Sequence, residues 1–362
     1  MNQSQFELSQ ASVYLSDDSY PDASIQTQKF QNILPPAPMT AVLWGKMIYR
    51  HFFGRTKNCR PHDAVPVHAI SSLQLQFAPV NSLYRLGHSS LLLKLSNGFW
   101  LTDPVLSDRA SPVNWAGPKR FHQPPLSTAE LPPLKGILIS HNHYDHLDKA
   151  TIQVLKGRCE RFYVPLGVGQ LLQRWGVKPK QIKEFQWWQS AKIGDVTLVS
   201  TPARHFSGRG LHDRDRSLWC SWVIRSSDFS VFFSGDSGYC REFQIIGEHY
   251  GPFDITCIET GAYDDIWSDV HMFPEQSLQA HLDLKGRYFM PIHNGTFDLA
   301  FHDWFEPFDR ITALSFKAKV SLLIPEMGQA VHLNDLPEFR RWWHCSPKKV
   351  VEPYEEILHQ MG

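Results

Sequence analysis

The chain has 362 residues, 42% of them hydrophobic, and a formal net charge of zero. This length can bury a substantial core, and the neutral charge argues against a nucleic-acid-binding protein, so we expect no nucleic acid partner. No stretch approaches the ~20 apolar residues of a membrane span. The six cysteines form no CxxC pair and the polar N-terminus has no signal pattern, which predicts a cytoplasmic protein without a cysteine zinc cage.

Residues 1–80 are predicted to form an N-terminal extension. The polar stretch up to about residue 38 indicates a poorly ordered arm or an extended wrap. The following segment TAVLWGKMIYRHFFGR has a helical period, with an apolar face and basic residues off that face. The apolar face contains Trp44, Ile48 and Phe52 with Leu43 and Met47, and the basic residues are Lys46 and Arg50. Such a helix either inserts into a membrane interface or packs on the main body, and the sequence leaves both possibilities open.

Residues 81–362 are predicted to form the second and larger domain. Two strand-like runs, SSLLLKL and FWLTD, are separated by the turn residues SNG and indicate a hairpin. Further strand-like runs are GILIS, RFYVP, DVTLVS, SLWCSWVIR, SVFFSGD, DITCIET, RYFMPI and KVSLLIP. Helical segments are predicted at Lys149–Lys156, Leu166–Trp175, Glu242–His249 and Pro274–Leu284. Hairpins followed by strand–helix alternation favour a mixed α/β fold whose sheets are covered by helices.

A dense cluster of histidines directly follows the predicted strand GILIS. His141, His143, Asp145 and His146 lie within six positions, although the chain has only 18 histidines in 362 residues. Imidazoles and carboxylates are the ligands that zinc and similar divalent ions prefer. The cluster therefore predicts a metal site at the end of a strand.

Three further candidate ligands each follow a predicted strand. His205 follows DVTLVSTPA, Asp236 follows SVFFSG, and His293 follows RYFMPI. Each alone has an ordinary structural reading, as a loop histidine, a turn former or a helix cap. Together they stand where open α/β sheets place their sites, and they would complete a two-metal ligand set.

The motif HNHYDH resembles the H-x-H-x-D-H signature of the metallo-β-lactamase superfamily. GHSSLLLKL, DPVLSDRASP, GPKRF and GDSGYC narrow the resemblance to the N-acylphosphatidylethanolamine-hydrolysing phospholipase D family, and this similarity extends over about residues 83–300. The resemblance implies a four-layer αβ/βα sandwich with two Zn²⁺ at one edge. The same ligands also tolerate iron or manganese. The family makes a homodimer a possible assembly.

The resemblance also implies a role for each ligand position. His141, His143 and His205 would hold the first zinc, and Asp145, His146 and His293 the second, with Asp236 bridging the two. Asp103 in LTDP would accept the free ring N–H of a ligand histidine, or it is simply a turn residue before a proline.

The activity that this resemblance implies is phospholipase D-type hydrolysis of N-acylphosphatidylethanolamine or a related phospholipid. A metal-activated hydroxide would attack phosphorus in line, with Asp145 helping to orient it, to release N-acylethanolamine and phosphatidic acid. His271 would bind substrate or protonate the leaving alkoxide, or it is a structural loop residue. Tyr144 and Tyr263 either contact the phosphate or headgroup or pack against the metal loop.

A phospholipid substrate requires contact with a membrane surface, and Trp44, Ile48 and Phe52 are the predicted contacts. We therefore expect peripheral association with the cytosolic face of a membrane. One alternative is a metal-dependent lactonase or a soluble phosphodiesterase on the same dinuclear site. Another is a membrane-associated scaffold with a decayed site, although the intact set of ligand positions argues against decay.

Overall fold

The computed structural model describes residues 29–344. Its helices are α1 (Ala41–Phe53), α2 (Ser72–Gln76), α3 (Lys149–Leu155), α4 (Val168–Arg174), α5 (Glu242–Tyr250), α6 (Pro274–Asp283) and α7 (Glu306–Ala318). Its strands are β1 (Ser82–Gly87), β2 (Ser90–Leu95), β3 (Gly98–Thr102), β4 (Leu134–Leu138), β5 (Cys159–Pro165), β6 (Ile182–Phe185), β7 (Ser190–Ile193), β8 (Val196–Thr201), β9 (Ser221–Arg225), β10 (Ser230–Phe233), β11 (Phe253–Glu259), β12 (Gly286–Ile292), β13 (Ser321–Leu322) and β14 (Ala330–His332).

The strands form two seven-stranded sheets. The first has the order β14-β1-β2-β3-β4-β5-β6, and the second has the order β13-β12-β11-β10-β9-β8-β7. Both are mixed, because antiparallel hairpins such as β2–β3 adjoin parallel pairs such as β3–β4 and β11–β12. The predicted hairpin is therefore present, and strand–helix alternation supplies the parallel half of each sheet.

Three hydrophobic clusters separate the layers of the sandwich. Leu91 and Leu93 of β2 pack between the sheets against residues such as Trp222 and Ile255. Leu92 points the other way and packs with the apolar side chains of α3 and α4. A third cluster lies between the second sheet and helices α5, α6 and α7. Strands with both faces buried explain the continuous apolar runs in the sequence, and the predicted four-layer α/β sandwich is confirmed.

The N-terminal segment crosses the main body before α1 begins. Residues 1–28, which include most of the predicted arm, lie outside the described residues. From there the Phe30 N–H donates to the Asp215 carbonyl, and the Ala37 N–H donates to Asp269 Oδ2 at 2.8 Å. Helix α1 starts at Ala41 with Thr40 as its N-cap, whose hydroxyl accepts from the Leu43 N–H. The domain boundary at residue 80 stays a prediction.

Candidate metal centre

The seven predicted ligands come together where several strands end at one edge of the sandwich. Strands β4, β8, β10 and β12 end at Leu138, Thr201, Phe233 and Ile292, and the ligands follow within a few residues of those ends. A tight backbone approach makes this possible at Gly235, which has φ +58°. A Cβ placed there would lie 2.4 Å from the Ser140 Cβ. Glycine therefore lets the loop that carries Asp236 pass directly beside the loop that carries His141.

The first group of candidate ligands consists of His141, His143, His205 and Asp236. His141 Nε2 lies 2.8 Å from His143 Nδ1, which in turn lies 3.2 Å from His205 Nε2. Asp236 Oδ2 closes the group, at 3.8 Å from His141 Nε2 and 3.7 Å from His205 Nε2. One ligand atom from each residue lies within 4.8 Å of the others, so the four side chains can surround a single cation.

The second group lies on the other side of Asp236. Asp145 Oδ2 is 3.2 Å from His293 Nε2 and 3.5 Å from His146 Nε2. Asp236 reaches this group as well, because its Oδ1 is 3.0 Å from His146 Nε2 and its Oδ2 is 3.1 Å from His293 Nε2. One buried carboxylate thus touches histidines of both groups, as a residue bridging two ions would.

Two buried polar atoms in this centre indicate a cation between them. His146 Nε2 and Asp236 Oδ1 are both buried and make no hydrogen bond to any described residue, although they lie 3.0 Å apart. Buried polar atoms without partners are costly, and a metal ion held between the two would satisfy both. The donor set of imidazoles and carboxylates suits zinc, iron or manganese, so these residues fit divalent metals.

Groups behind the ligands fix their orientation. Asp103 Oδ2 accepts a hydrogen bond from His146 Nδ1 at 2.7 Å, and Asp103 Oδ1 accepts the Ser140 N–H at 2.7 Å. Asp103 therefore hydrogen-bonds a candidate ligand histidine, and its role behind a bound metal stays a prediction. The Val270 carbonyl accepts from His205 Nδ1 at 3.0 Å in the same way. These bonds place the proton on Nδ1 and leave Nε2 free to face a metal.

The carboxylates give the centre its affinity for cations. Burial alone would lower the pKa of His293, but Asp236 and Asp145 outweigh it and raise that pKa to about 10. The same two carboxylates raise the pKa of His146 against the effect of its burial. His141 lies farther from the carboxylates, and burial together with its histidine neighbours lowers its pKa. The carboxylates thus draw either protons or metal ions to the centre.

Sequence reasoning missed two residues that touch the centre. Glu259, at the end of β11, is buried and hydrogen-bonds through Oε1 with His271 Nδ1. His88, in the turn between β1 and β2, lies with its Nε2 at 3.1 Å from Asp145 Oδ2. The only sequence signal for either was its position next to a strand end, which many polar residues share.

The two tyrosines lie near the centre but not in its cavity. The Tyr144 hydroxyl donates to the Arg209 carbonyl at 3.0 Å, and the Arg209 guanidinium stacks over the Tyr144 ring. The Tyr263 side chain is buried, and its hydroxyl donates to Glu306 Oε1 at 2.8 Å. Both arrangements satisfy the hydroxyls within the protein, and the substrate contacts of these tyrosines stay predictions.

A cavity of about 630 Å³ opens directly above the metal-ligand groups. Its floor carries His143, Asp145, Asp236, His271 and His293. Its walls are largely apolar and come from the N-terminal segment, α1, the loop before α6 and the loops after β8 and β12, with Arg214, Asp265 and Asp269 as charged members. They include Met39, Leu43, Trp44, Met47, Phe206, Ile266, Trp267, Val270 and Leu299. The N-terminal extension therefore forms part of the site.

Helix α1 has apolar side chains on both faces. Leu43 and Met47 face the cavity, whereas Phe52 and Phe53 are 71% and 77% exposed. Ile48 is exposed as well, and Trp44 is half exposed while it also lines the cavity. Arg50 does not flank the exposed apolar face as a free basic residue, because its guanidinium pairs with Asp264. Among residues 29–344, no helix is long and apolar enough to cross a membrane.

Two helix-covered mixed sheets with histidine–aspartate clusters at one edge define a metal-dependent hydrolase of the metallo-β-lactamase class. Residues 100–294 match the beta-lactamase superfamily domain. The chain is 44% identical over 261 residues to the uncharacterized protein Rv0906 of Mycobacterium tuberculosis, which covers 71% of this chain and 70% of that protein. It is 33% identical over 292 residues to N-acyl-phosphatidylethanolamine-hydrolyzing phospholipase D 1 of Caenorhabditis elegans, which covers 75% of this chain and 82% of the relative.

A solved structure shares the fold at low sequence identity. The metallo hydrolase Igni18 of Ignicoccus hospitalis matches with a TM-score of 0.54 at 20% identity, over 72% of this chain and 99% of that one. The chain therefore belongs to the beta-lactamase superfamily, and within it to the family of N-acylphosphatidylethanolamine-hydrolysing phospholipases D.

Proposed function

We propose that the protein is a zinc-dependent phospholipase D-type phosphodiesterase that hydrolyses N-acylphosphatidylethanolamine or a related phospholipid. The observation that carries the proposal is the cavity of about 630 Å³, whose floor is the metal-ligand groups and whose walls are largely apolar, with Arg214, Asp265 and Asp269 as charged members. Largely apolar walls above a cation-binding floor suit a phosphodiester that carries hydrocarbon chains.

The walls carry apolar surface from two segments of the chain. Leu43 and Met47 of α1 line the cavity together with Trp267 and Val270 of the loop before α6. Burying one methylene of a substrate here stabilises the complex by roughly 0.8 kcal/mol. An N-acyl chain on the leaving ethanolamine would lie close to phosphorus and could bury several such groups.

The side chains on the cavity floor can perform the steps of phosphodiester hydrolysis. Two bound zinc ions would supply an activated water nucleophile and neutralise the phosphate charge. Asp145 is the most exposed ligand carboxylate, with 17% of its side chain accessible from the cavity side, and it can orient that water. His271 faces the same cavity with Glu259 behind its Nδ1, which suits proton donation to the leaving alkoxide.

The cavity wall also holds a cation for the phosphate side of the substrate. Arg214 lines the cavity, and its guanidinium lies 4.7 Å from the centre of the Phe206 ring. Stacking on an aromatic ring restricts a long side chain. Arg214 Nε also lies 3.5 Å from Asp215 Oδ2, so an anionic phospholipid would compete with Asp215 for this guanidinium.

The exposed face of α1 is suited to binding a membrane surface. Trp44, Ile48 and Phe52 are the predicted lipid contacts, and each is at least half exposed. Adjacent exposed aromatic residues, Tyr49 and Phe53, extend the same apolar surface. A lipid bound by this face would lie beside the cavity that α1 also lines. The protein is proposed to associate peripherally with the cytosolic face of a membrane.

One set of assays tests the proposal. The purified protein is incubated with N-acylphosphatidylethanolamine, phosphatidylethanolamine, a lactone panel and a soluble phosphodiester, with and without a chelator. We expect chelator-sensitive release of N-acylethanolamine and phosphatidic acid that returns on adding Zn²⁺. Lactone or soluble-phosphodiester turnover without lipid turnover would contradict the lipid assignment, and activity in excess chelator would contradict the metal.

A further inference from the structure

His88 is a buried histidine beside the metal-ligand groups that the predicted ligand set does not contain. Its Nε2 lies 3.1 Å from Asp145 Oδ2, and its ring packs on His293 with the ring centres 4.0 Å apart. We propose that His88 is a positioning residue of the metal centre, which donates Nε2–H to Asp145 and holds that carboxylate in its ligand orientation. The inference rests on the metal-dependent function proposed above.

The backbone around His88 is built to place this side chain. His88 has φ +53° and the preceding Gly87 has φ +126°, so the turn between β1 and β2 uses two consecutive left-handed residues. Such a conformation is unfavourable for a residue other than glycine, and it persists only where surrounding contacts impose it. Here the His88 N–H donates to Thr296 Oγ1 at 2.7 Å, and its carbonyl accepts the His293 N–H at 3.2 Å. The segment that carries the ligand His293 therefore fixes the backbone of His88.

The second ring nitrogen distinguishes a hydrogen-bond donor from a metal ligand. A histidine that binds metal through Nε2 carries its proton on Nδ1 and normally gives that proton to a partner. His146 and His205 do so, through Asp103 and the Val270 carbonyl. His293 Nδ1, like His88 Nδ1, makes no hydrogen bond to a described residue, but the carboxylate oxygen Glu259 Oε1 lies 3.9 Å from His293 Nδ1.

His88 Nδ1 is buried and has no hydrogen-bond partner among the described residues. A protonated Nδ1 would thus be a buried donor left unsatisfied, which is costly. With the proton on Nε2 instead, that proton meets Asp145 Oδ2 and the bare Nδ1 needs no acceptor. The arrangement favours the Nε2–H tautomer and hence a donor to Asp145.

Loss of His88 is expected to weaken metal binding at the second metal position and not at the first. Asp145 is the ligand carboxylate that faces the cavity, and the histidine atoms near its Oδ2 are those of His146, His293 and His88. The first two point toward the metal and cannot also donate to the carboxylate when an ion is bound. His88 then is the remaining side chain of the three that can restrain Asp145, and losing such an outer partner typically weakens metal affinity about 10–100-fold.

Two substitutions at the same position test the proposal by titration of chelator-treated protein with Co²⁺, followed by visible absorption. His88→Gln keeps an N–H donor near the position of Nε2, whereas His88→Ala removes it, and both bear the same positive φ. The parent and His88→Gln should bind two equivalents. His88→Ala should keep the first and bind the second roughly 10–100-fold more weakly. Two unchanged equivalents in His88→Ala, or a Gln variant as weak as the Ala variant, would overturn the proposal.

A matched control separates this effect from the general loss of a buried imidazole. His281 is also buried, but it hydrogen-bonds Thr256 and stacks on Phe289 away from the metal-ligand groups. His281→Ala should leave both Co²⁺ affinities unchanged even if it lowers the melting temperature. A parent protein that binds no metal would contradict the proposed function itself, whereas normal binding by both parent and His88→Ala would contradict only the role of His88.

A second measurement is made on the parent protein, and a variant serves only to assign its signals. Nitrogen-15 NMR of histidine-labelled, zinc-loaded protein reports which ring nitrogen carries the proton, and His88→Gln identifies the signals of His88 by their disappearance. We expect an Nε2–H tautomer for His88 and metal-bound Nε2 atoms for His146 and His293. A metal-bound Nε2 on His88 would overturn the donor assignment and make His88 a ligand.

Discussion

Glu259 lies directly behind His271, with Glu259 Oε1 hydrogen-bonded to His271 Nδ1. The other carboxylate oxygen, Oε2, accepts the Ser237 N–H at 2.8 Å, so Glu259 is held from both sides. Burial raises the pKa of Glu259, while the nearby His271 opposes that rise. A fixed carboxylate behind one nitrogen leaves the other nitrogen of His271 to act toward the cavity.

We predict that Glu259 and His271 act as one unit in turnover. His271→Ala should lower kcat by about 10²–10⁴, the usual contribution of a positioned acid or base, with a smaller effect on KM. Glu259→Ala should lower kcat substantially, and the double variant should be no worse than His271→Ala alone. Full turnover by His271→Ala would remove this residue from the mechanism, and additive losses would show that the two residues act separately.

The pKa of His293 predicts how metal binding depends on pH. Burial lowers this pKa, but Asp236 and Asp145 raise it to about 10 in the metal-free protein, from an ordinary value of 6.5. Below that pH a metal must displace the proton, so metal affinity should rise by about tenfold per pH unit for each proton released. Calorimetric titration of Zn²⁺ in buffers of different ionisation enthalpy should detect proton release at neutral pH. A pH-independent affinity would contradict this.

The same shift predicts the stability of the metal-free protein. A histidine whose folded pKa is raised contributes stability that is fully present below its unfolded pKa and is lost as pH rises through its folded pKa. The contribution of His293 should thus fade between pH 6.5 and about 10. Metal-loaded protein lacks this proton, so its stability should not fall in the same way with rising pH. The rise in melting temperature on adding zinc should therefore grow across that range. Thermal denaturation at several pH values checks it.

Local sequence pattern predicted a mixed α/β fold with helix-covered sheets and a metal site at strand ends, whereas the four-layer sandwich and the assignment of ligands to two metals came from the family resemblance. Buried strands are continuous apolar runs, and a ligand that follows such a run lies at the sheet edge, as His205 and His293 do. Helix α7 was not predicted, although Phe308, Ile311 and Ser315 lie on its buried face at helical spacing. His88 and Glu259 were missed because their roles come from contacts between distant segments, and a single polar residue at a strand end carries no sign of its partner.

The two faces of α1 should separate binding to lipid surfaces from turnover. Ile48 and Phe52 are exposed, whereas Leu43 and Met47 line the cavity. An Ile48→Ser, Phe52→Ser double variant should bind anionic liposomes more weakly in co-sedimentation, yet hydrolyse detergent-dispersed lipid at the parent rate. A Leu43→Ser, Met47→Ser variant should bind liposomes normally but show a raised KM in both systems. Unchanged liposome binding by the first variant would exclude this face as the anchor.

The ion pair between Arg50 and Asp264 is predicted to hold α1 over the cavity. Asp264 retains only 7% of its side-chain exposure while Arg50 retains 35%, so removing the arginine leaves a nearly buried carboxylate unpaired. Because Arg50 is partly in solvent, the stability cost of Arg50→Ala should be only about 1 kcal/mol. The larger effect should be local, since α1 buries no residue fully and depends on few contacts. Limited proteolysis should therefore cleave the variant near α1 faster than the parent, and KM should rise because the cavity loses one wall.

Lys135→Ala, which breaks the exposed pair with Glu160 on the first sheet, is the matched control and should change neither property. Equal cleavage rates in parent and Arg50→Ala would mean that the cavity contacts of Leu43 and Met47 hold the helix without the ion pair.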